Sequence, residues 1–479
     1  MIAVLETMSI AIFIFFLVYC VATGALLIMS LREISWYARG QAGPAVRPRP
    51  GQLAHRPSVS LVTPAYNEET LIVQSAKAFL ASDYEPLEVV VVDDGSKDET
   101  FARLEEAFDL VPLPLRGRTD LKTAPIRSVS ISRTEPRLRV VHKDNGGRSD
   151  ALNAGASIAR GELVVIVDAD SLLEPDAITR SVRPFEVHPD TCMAVGGGIR
   201  VANGSRIVGG RVVTPGVSGR RGVGATQVLE YLRGFFATRI AWSELNGLLI
   251  VSGAFGVFRR DLLIGLGGLS SATLGEDMEL TMRIHHVLRP QWKEARVEFA
   301  ADAICWTEAP ATMSGLRTQR VRWHTGLIDN LRVHWRMTGR PRFGAAGVFA
   351  MPYLILFEAT EPLVEVVGFA IVIALLILNV VNWTYVLAFF LIAAVTGALL
   401  STTALLIEEI GFTRYKASDL ARLMAWGFVE SLWFRPALAW WRWKATFLAL
   451  IGRRPGWGTI PRGAAILEQP EQVVAPLTR

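Results

Sequence analysis

Apolar and polar positions divide the chain into three textures. Residues 8–30 (MSIAIFIFFLVYCVATGALLIMS) are uncharged over 23 positions. At ~1.5 Å per residue that run crosses a ~30 Å hydrocarbon core. From about 58 to 310, short β-branched runs alternate with helical stretches. Residues 58–63, 87–92, 138–141 and 163–167 predict strands, and 68–81 and 149–159 predict helices between them. Continuous apolar strands spaced by helices predict a parallel sheet buried on both faces. After Arg342 the long apolar runs return. Residues 366–407 carry no charge over 42 positions, too many for one span. Asn379, Asn382 and Trp383 interrupt them, predicting two spans joined by a short outside turn. Residues 343–365 hold Glu358, Glu361 and Glu365, which predicts an interfacial helix or a span lining a polar path. Residues 418–451 hold Trp426, Trp433, Trp440, Trp441 and Trp443, with Arg435 and Pro436 midway. That pattern predicts an interfacial or re-entrant hairpin.

These textures set the expected organisation: a membrane anchor over 1–40, a globular α/β domain over 58–310, amphipathic interface helices over 311–342, a membrane and re-entrant region over 343–452, and a cytosolic tail over 453–479. The Gly- and Pro-bearing stretch 40–57 reads as a linker, and the insertions 111–137 and 203–224 read as surface loops. Glu6 precedes the first apolar run, whereas a signal peptide would begin with basic residues. Arg32, Arg39, Arg47, Arg49 and Arg56 follow it, so the positive-inside rule places the next domain in the cytoplasm of a multi-pass cell-membrane protein. Arg453 and Arg454 keep the C-terminus on the same side.

Composition sharpens this. The 479 residues are 51% hydrophobic and 20% charged, too apolar for an ordinary soluble enzyme and too charged for a pure membrane bundle. Disorder, fibrous repeats and small disulfide scaffolds are excluded. The net charge of +5 is spread without a dense basic tract, so no nucleic-acid partner is expected. Cys20, Cys192 and Cys305 form no CxxC pair, and seven scattered His show no ligand spacing, so no Cys- or His-based metal site is expected.

The chemistry gathers where strands end. One predicted strand runs into Tyr66-Asn67-Glu68 and the next into Asp93-Asp94-Gly95-Ser96. Ligands of open α/β sheets bind outside the carboxyl ends of the strands, so the two clusters describe one nucleotide pocket. Asn145-Gly146-Gly147-Arg148 follows the third strand; its glycines let backbone approach a phosphate and Arg148 adds charge, and it reads equally as a capped helix start. Asp168-Ala169-Asp170 ends the apolar strand 163–167. A hard cation such as Mg²⁺ or Mn²⁺ prefers one or two carboxylates plus substrate phosphate oxygens. Gly275-Glu276-Asp277 opens a helical pattern, as a dipole-favoured helix start or as the seat of a general base. Gln319-Arg320-Val321-Arg322-Trp323 lies on a predicted helix, 313–337. Arg322 could clamp a diphosphate and Trp323 stack on a sugar, and the stretch reads equally as a membrane-surface helix with snorkelling Arg.

In chain order these clusters resemble the inverting, membrane-bound processive glycosyltransferases of family 2, the cellulose, hyaluronan and chitin synthase group. The resemblance rests on Asp94, Asp170, Asp277 and the Gln319/Arg322/Trp323 signature, with Val251-Ser252-Gly253-Ala254-Phe255 similar to an acceptor-side loop. Gly275 in place of the usual Thr, the Asn-Gly-Gly-Arg run and Trp242–Phe258 bring it nearest the poly-β-1,6-N-acetylglucosamine synthase-like branch. The resemblance implies an α/β, GT-A-like Rossmann-type domain combined with α-helical transmembrane segments. It implies that Asp93, Asp94, Tyr66, Glu68 and Arg148 bind nucleotide, and that Asp170 with Asp168 binds Mg²⁺ or Mn²⁺. Asp277 would be the catalytic base. Gln319, Arg322 and Trp323 would face the diphosphate and acceptor, with Ser252, Gly253 and Glu276 beside them. The implied partners are a UDP-sugar donor, a polysaccharide or glycolipid acceptor, the bilayer, and an accessory membrane or export subunit. Alternatives are a UDP-glucose-using β-glucan synthase, a single transfer onto a lipid acceptor, and, in another class, a membrane transporter or nucleotide sensor, which needs neither Asp277 nor a metal pair.

Overall fold

The computed structural model describes residues 2–39, 56–114, 120–208, 210–217, 222–380 and 383–453. Most of the 40–57 linker, parts of both insertions, Asn382 and the tail from Arg454 lie outside the described residues. The first helix, α1 (Ile2–Ala38), contains the first apolar run. A ten-stranded sheet follows, built from β1 (Val59–Ala65), β2 (Leu87–Asp93), β3 (Leu110–Pro112), β4 (Ile126–Ser132), β5 (Leu138–Lys143), β6 (Leu163–Val167), β7 (Leu172–Leu173), β8 (Cys192–Val201), β11 (Phe255–Arg259) and β12 (Arg296–Thr307). A separate hairpin pairs β9 (Arg206–Val208) with β10 (Arg211–Thr214). The sheet order is β3-β4-β5-β2-β1-β6-β11-β8-β12-β7.

The four predicted strands form the parallel centre, β5-β2-β1-β6. Their side chains alternate between two cores: Leu61, Val89, Val91 and Val165 pack on one face, and Val62, Val90, Val92 and Val164 on the other. Burial on both faces is why these runs lack polar alternation. The whole sheet is mixed, however, because β11 pairs antiparallel with both β6 and β8. Two predicted loops also contain strands. Within 111–137, β4 pairs antiparallel with β5, its Val129, Ser130 and Ser132 buried. Within 203–224, the β9–β10 hairpin buries Ile207 against Leu172, Ile304 and Trp306.

Helices α2 (Ile72–Leu80), α3 (Thr100–Phe108), α4 (Arg148–Ile158) and α5 (Ala177–Val187) cover the sheet. Then α6 (Val223–Glu230), a π-helical turn Tyr231–Ala237 and α7 (Thr238–Glu244) lead to α8 (Arg260–Gly265), α9 (Glu276–Leu288) and α10 (Met313–His334). Residues Ala346–Ala359 form π-helical turns around a short α11 (Met351–Tyr353) and continue into α12 (Glu361–Ile377). Helices α13 (Trp383–Phe412) and α14 (Ala417–Leu450) complete the fold.

Among the described residues, three helices are long and apolar enough to cross a membrane: Thr7–Ala38, Ala346–Ile377 and Ala394–Phe412. The expected break between two spans falls at Asn379, whose φ of 54° turns the chain. Residues 343–365 are not a separate interfacial piece; from Ala346 they belong to the same apolar rod as 366–377. Residues 418–451 do not form a hairpin either. Helix α14 runs unbroken through Pro436, because its polar side chains find partners along its length. Arg435 meets Glu430 at 3.2 Å, and Arg442 meets Glu358 at 3.1 Å and Glu361 at 3.0 Å.

One core joins membrane helices to sheet: Leu27 and Ile34 of α1 and Leu400, Ala404 and Leu405 of α13 share a cluster with Leu61 and Val165. The fully buried Arg200 of β8 forms a bidentate pair with Glu408 of α13, at 2.7 and 2.5 Å. Arg414 adds a contact to Glu174, just beyond β7, at 2.6 Å. The sheet is thus fixed against these helices by packing and by buried charge.

Candidate active site

Parallel register brings the polar clusters together. Ala65 stands opposite Asp93, so the residues that follow β1 and β2 emerge side by side, and the Asp94 amide donates to Ala65 O at 2.9 Å. Asp94 is 3% exposed. Its carboxylate accepts from Lys143 Nζ at 2.6 Å and from the Gly146 and Gly147 amides at 3.0 and 2.8 Å. The Gly146–Gly147 amides, expected to face a phosphate, therefore anchor Asp94 and start α4. Gly147, with φ of 87°, makes that turn at no steric cost. Lys143, completely buried, also pairs with Asp150 at 2.5 Å. Sequence reasoning passed over this lysine, although a lone Lys ending an apolar strand is a signal that it must have partners.

Asp93 differs from its expected role. It is 0% exposed and bonds His142 Nδ1 at 2.6 Å and the Ser96 amide at 3.1 Å. It braces the loop and is not among the cavity-lining residues, whereas Tyr66, Glu68 and Asp94 are.

Arg148 is the hub. Its Nε and one terminal nitrogen grip Asp168 Oδ1 at 3.0 and 2.7 Å, its other nitrogen pairs with Glu276, and it donates to Gly253 O at 2.8 Å. Burial opposes its charge, but Asp168 and Glu276 outweigh that and hold the guanidinium above its usual pKa. Burial pushes the Glu276 carboxyl up, partly offset by Arg148. The same Gly253 turns its amide to Asp277 Oδ2 at 2.9 Å, and the Met278 amide holds Oδ1 at 2.8 Å. A side chain at Gly253 would meet the Arg148 guanidinium at 2.9 Å. The structure therefore brings Asp168, Arg148, Gly253, Glu276 and Asp277 into one connected set.

Helix α10 lays its signature across the opposite wall. Gln319, Arg322 and Trp323 line the cavity. The intervening Arg320, which sequence reasoning left aside, is buried; it donates to Gln319 Oε1 at 2.5 Å and Glu230 Oε2 at 2.6 Å and lies 4.2 Å from the Trp323 ring. Phe235 packs edge-on against Trp323 at 5.3 Å. Burial lowers the Arg322 pKa, countered by Glu276, Asp168 and Asp277. Arg239, another cavity residue without a sequence motif, is lowered to about 10 by burial.

Tyr66, Glu68, Asp94, Arg148, Asp168, Arg239, Gly253, Glu276, Asp277, Gln319, Arg322 and Trp323 line one cavity of about 1180 Å³. It extends from Tyr66, Asp94, Asp168 and Asp170 past Asp277 to Tyr19 and Thr23 of α1, Tyr353, Glu358, Glu361, Glu365 and Arg442. Asp168 and Asp170 suit a hard divalent cation. They are oxygen donors at a strand end, and Asp168, a third exposed, spends only Oδ1 on Arg148. Among the described residues no group of three or more His, Cys, Asp or Glu could hold a metal alone, so a cation here would complete its shell with substrate and water oxygens.

A cleft at strand ends that holds an acidic pair and a carboxylate oriented by two backbone amides, beside helices long and apolar enough to cross a membrane, fits a GT-A-type glycosyltransferase. Residues 60–267 match the glycosyl transferase family 2 domain, and residues 270–445 the chitin synthase domain. The chain thus carries a family 2 glycosyltransferase domain and, among the described residues, helices long and apolar enough to cross a membrane. It is similar to poly-beta-1,6-N-acetyl-D-glucosamine synthase of Staphylococcus epidermidis, 23% identical over 392 residues, which cover 80% of each chain. The Staphylococcus aureus (strain COL) protein of the same name is 24% identical over 271 residues, 56% of this chain and 54% of that one. Among solved structures, the mannosyltransferase PcManGT from Pyrobaculum calidifontis, in complex with GDP-Man and Mn²⁺, superimposes with a TM-score of 0.52 at 21% identity. That match covers 90% of this chain and 99% of that one, and it shows the shared fold.

Proposed function

We propose that the protein transfers N-acetylglucosamine from UDP-N-acetylglucosamine, with inversion, onto a growing β-linked polysaccharide that leaves through its own membrane segments. The observation that carries this reading is the single cavity joining Asp94, Asp168 and Asp277 to Tyr19, Tyr353 and Glu358 between the membrane helices. A single transfer onto a soluble acceptor needs no such continuation. The names of the staphylococcal relatives support the donor and the product.

In this reading the catalytic domain is cytosolic and the chain multi-pass. Tyr66, Glu68 and Asp94 bind the nucleotide, and Asp93 acts one step behind by bracing Asp94's loop. Asp168 and Asp170 would hold Mg²⁺ or Mn²⁺, which supplies positive charge to the departing diphosphate. The Mn²⁺ in the archaeal mannosyltransferase supports a divalent ion. Arg322 and Gln319 approach the diphosphate, and the Trp323 ring, fixed by Arg320 and Phe235, offers a platform for the acceptor sugar. Asp277 takes the proton of the acceptor hydroxyl as its oxygen bonds to C1 of the donor sugar and the C1–O bond to UDP breaks. One displacement by one base inverts the anomeric centre; a retaining route needs a second carboxylate as nucleophile. The amides of Gly253 and Met278 orient Asp277 for this step.

The test is UDP release by purified full-length protein offered UDP-N-acetylglucosamine, UDP-glucose and UDP-glucuronate separately with Mn²⁺ or Mg²⁺. Product sizing and an Asp277→Asn control accompany it. The expected result is turnover and long product with the first donor only, with a rate lower by about 10²–10⁴ in the control. Turnover that stops after one sugar, or an active control, would overturn the proposal.

A further inference from the structure

After α10 ends, the chain makes two tight turns, Trp335–Met337 and Pro341–Phe343, and then enters the apolar rod Ala346–Ile377. Arg332, Arg336, Arg340 and Arg342 are exposed along this stretch. Trp335 and Val333 stand 60% and 53% exposed beside them. Asp329, itself 8% exposed, is the only acid between 309 and 357. Among the described residues no carboxylate pairs with Arg336, Arg340 or Arg342; Arg336 lies over Trp335 at 6.0 Å and Arg342 over Phe343 at 4.7 Å.

The apolar half of the surface comes from α14. Arg332 donates to Ala449 O at 2.9 Å, in the last turn of that helix. At that end Phe447, Leu450 and Ile451 are 52–62% exposed, and exposed Arg453 follows. Phe349, 59% exposed, adds to it from the start of the rod. Exposed Trp and Phe edged by unpaired arginines, at the point where a membrane-length helix begins, are the composition of a membrane–water interface. Like charges crowded without acids need counter-anions, and the adjoining apolar side chains need acyl chains, which free phosphate does not offer.

We propose that this arginine rim binds anionic phospholipid headgroups and that bound lipid holds α10 in place. The same helix carries Gln319, Arg322 and Trp323 into the cavity, so lipid charge at its far end bears on the site. The effect on turnover rests on the function proposed above, whereas the binding does not.

The test has two arms. In the first, full-length protein in detergent is given radiolabelled phosphatidylglycerol or phosphatidylcholine, and retained lipid is counted. Phosphatidylglycerol should be retained in preference. At roughly fivefold per arginine, affinity should fall about 10²-fold in the triple variant Arg336→Gln/Arg340→Gln/Arg342→Gln. The triple Lys variant should keep most of it, since the charge is preserved. In the second arm, nanodiscs of pure phosphatidylcholine should show several-fold slower UDP release than nanodiscs containing phosphatidylglycerol, with no rescue by inorganic phosphate. Equal phosphatidylglycerol retention by wild type and the Gln variant would overturn the site. Equal turnover in both lipids, with retention intact, would overturn the link to α10. Absence of UDP release in every lipid, with retention intact, would count against the proposed activity and leave the lipid site supported.

Discussion

Arg148→Ala tests the connected set most directly. The side chain is 17% exposed, and its partners Asp168 and Glu276 are 33% and 9% exposed. Removing one member of a buried pair costs about 3–5 kcal/mol. Solvent at Asp168 screens part of that, leaving roughly 2–3 kcal/mol. At about 2–4 °C per kcal/mol for a domain of this size, the melting temperature should fall by about 4–12 °C. The chemical loss should be larger than the loss of fold. Without the guanidinium, Glu276, buried beside Asp277, loses its ion-pair partner, and its already raised pKa climbs further. The Gly253 carbonyl loses its donor, and Gly253 is the residue whose amide aims Asp277. A displacement of about 1 Å at the base is worth about 10²-fold in rate. The assay pairs thermal unfolding in detergent with UDP release, and kcat should fall more than the donor KM rises. Arg148→Lys keeps the charge but cannot make the forked contact to Asp168 while reaching Glu276 and Gly253 O, so it should recover stability more than rate. An Arg148→Ala protein that melts within a degree of wild type and turns over within twofold would refute the reasoning.

Glu408→Gln should destabilise the whole chain by about 3–5 kcal/mol, because it strands the buried Arg200 guanidinium, whereas the paired change Arg200→Met/Glu408→Leu should restore much of the loss; thermal unfolding of the three proteins checks this. His285 is buried, bonds Leu248 O at 2.9 Å and has its pKa pushed down to about 4 by burial. Folded protein therefore binds fewer protons than unfolded protein between about pH 4 and 6.5, so stability is full above 6.5 and about 3 kcal/mol is lost as pH falls through that window; denaturant midpoints against pH should show the slope, and His285→Gln should flatten it. Gly155→Ala should cost about 1–3 kcal/mol, since a Cβ there would lie 2.3 Å from Val62 and 2.9 Å from Val92 where α4 rests on the sheet.

Local pattern carried a great deal. The run Leu163–Val167 is the strand its composition implies, and Asp168-Ala169-Asp170 sits at its end in the cavity wall. The helix expected over 313–337 is α10 with one further turn, and it presents Gln319, Arg322 and Trp323 to the cavity. Periodicity, turn residues and apolar length are properties of neighbouring residues, so a single sequence suffices to read them. What the sequence could not disclose lies between distant residues. Arg148 meets Glu276 across 128 positions and Arg200 meets Glu408 across 208. Asp93 and Asp94 are adjacent and chemically identical, yet one is buried against His142 and the other faces the cavity, because alternate side chains of a strand and the loop after it point to different surroundings. Helix α14 stays continuous through Arg435 and Pro436 because Glu430, Glu358 and Glu361 satisfy its charges, two of them from another helical segment. Strands and helices follow from local sterics and hydrophobic spacing. Which charge neutralises which, and so where the reaction can occur, is decided only when the fold brings the partners within a few ångströms in a medium that water no longer screens.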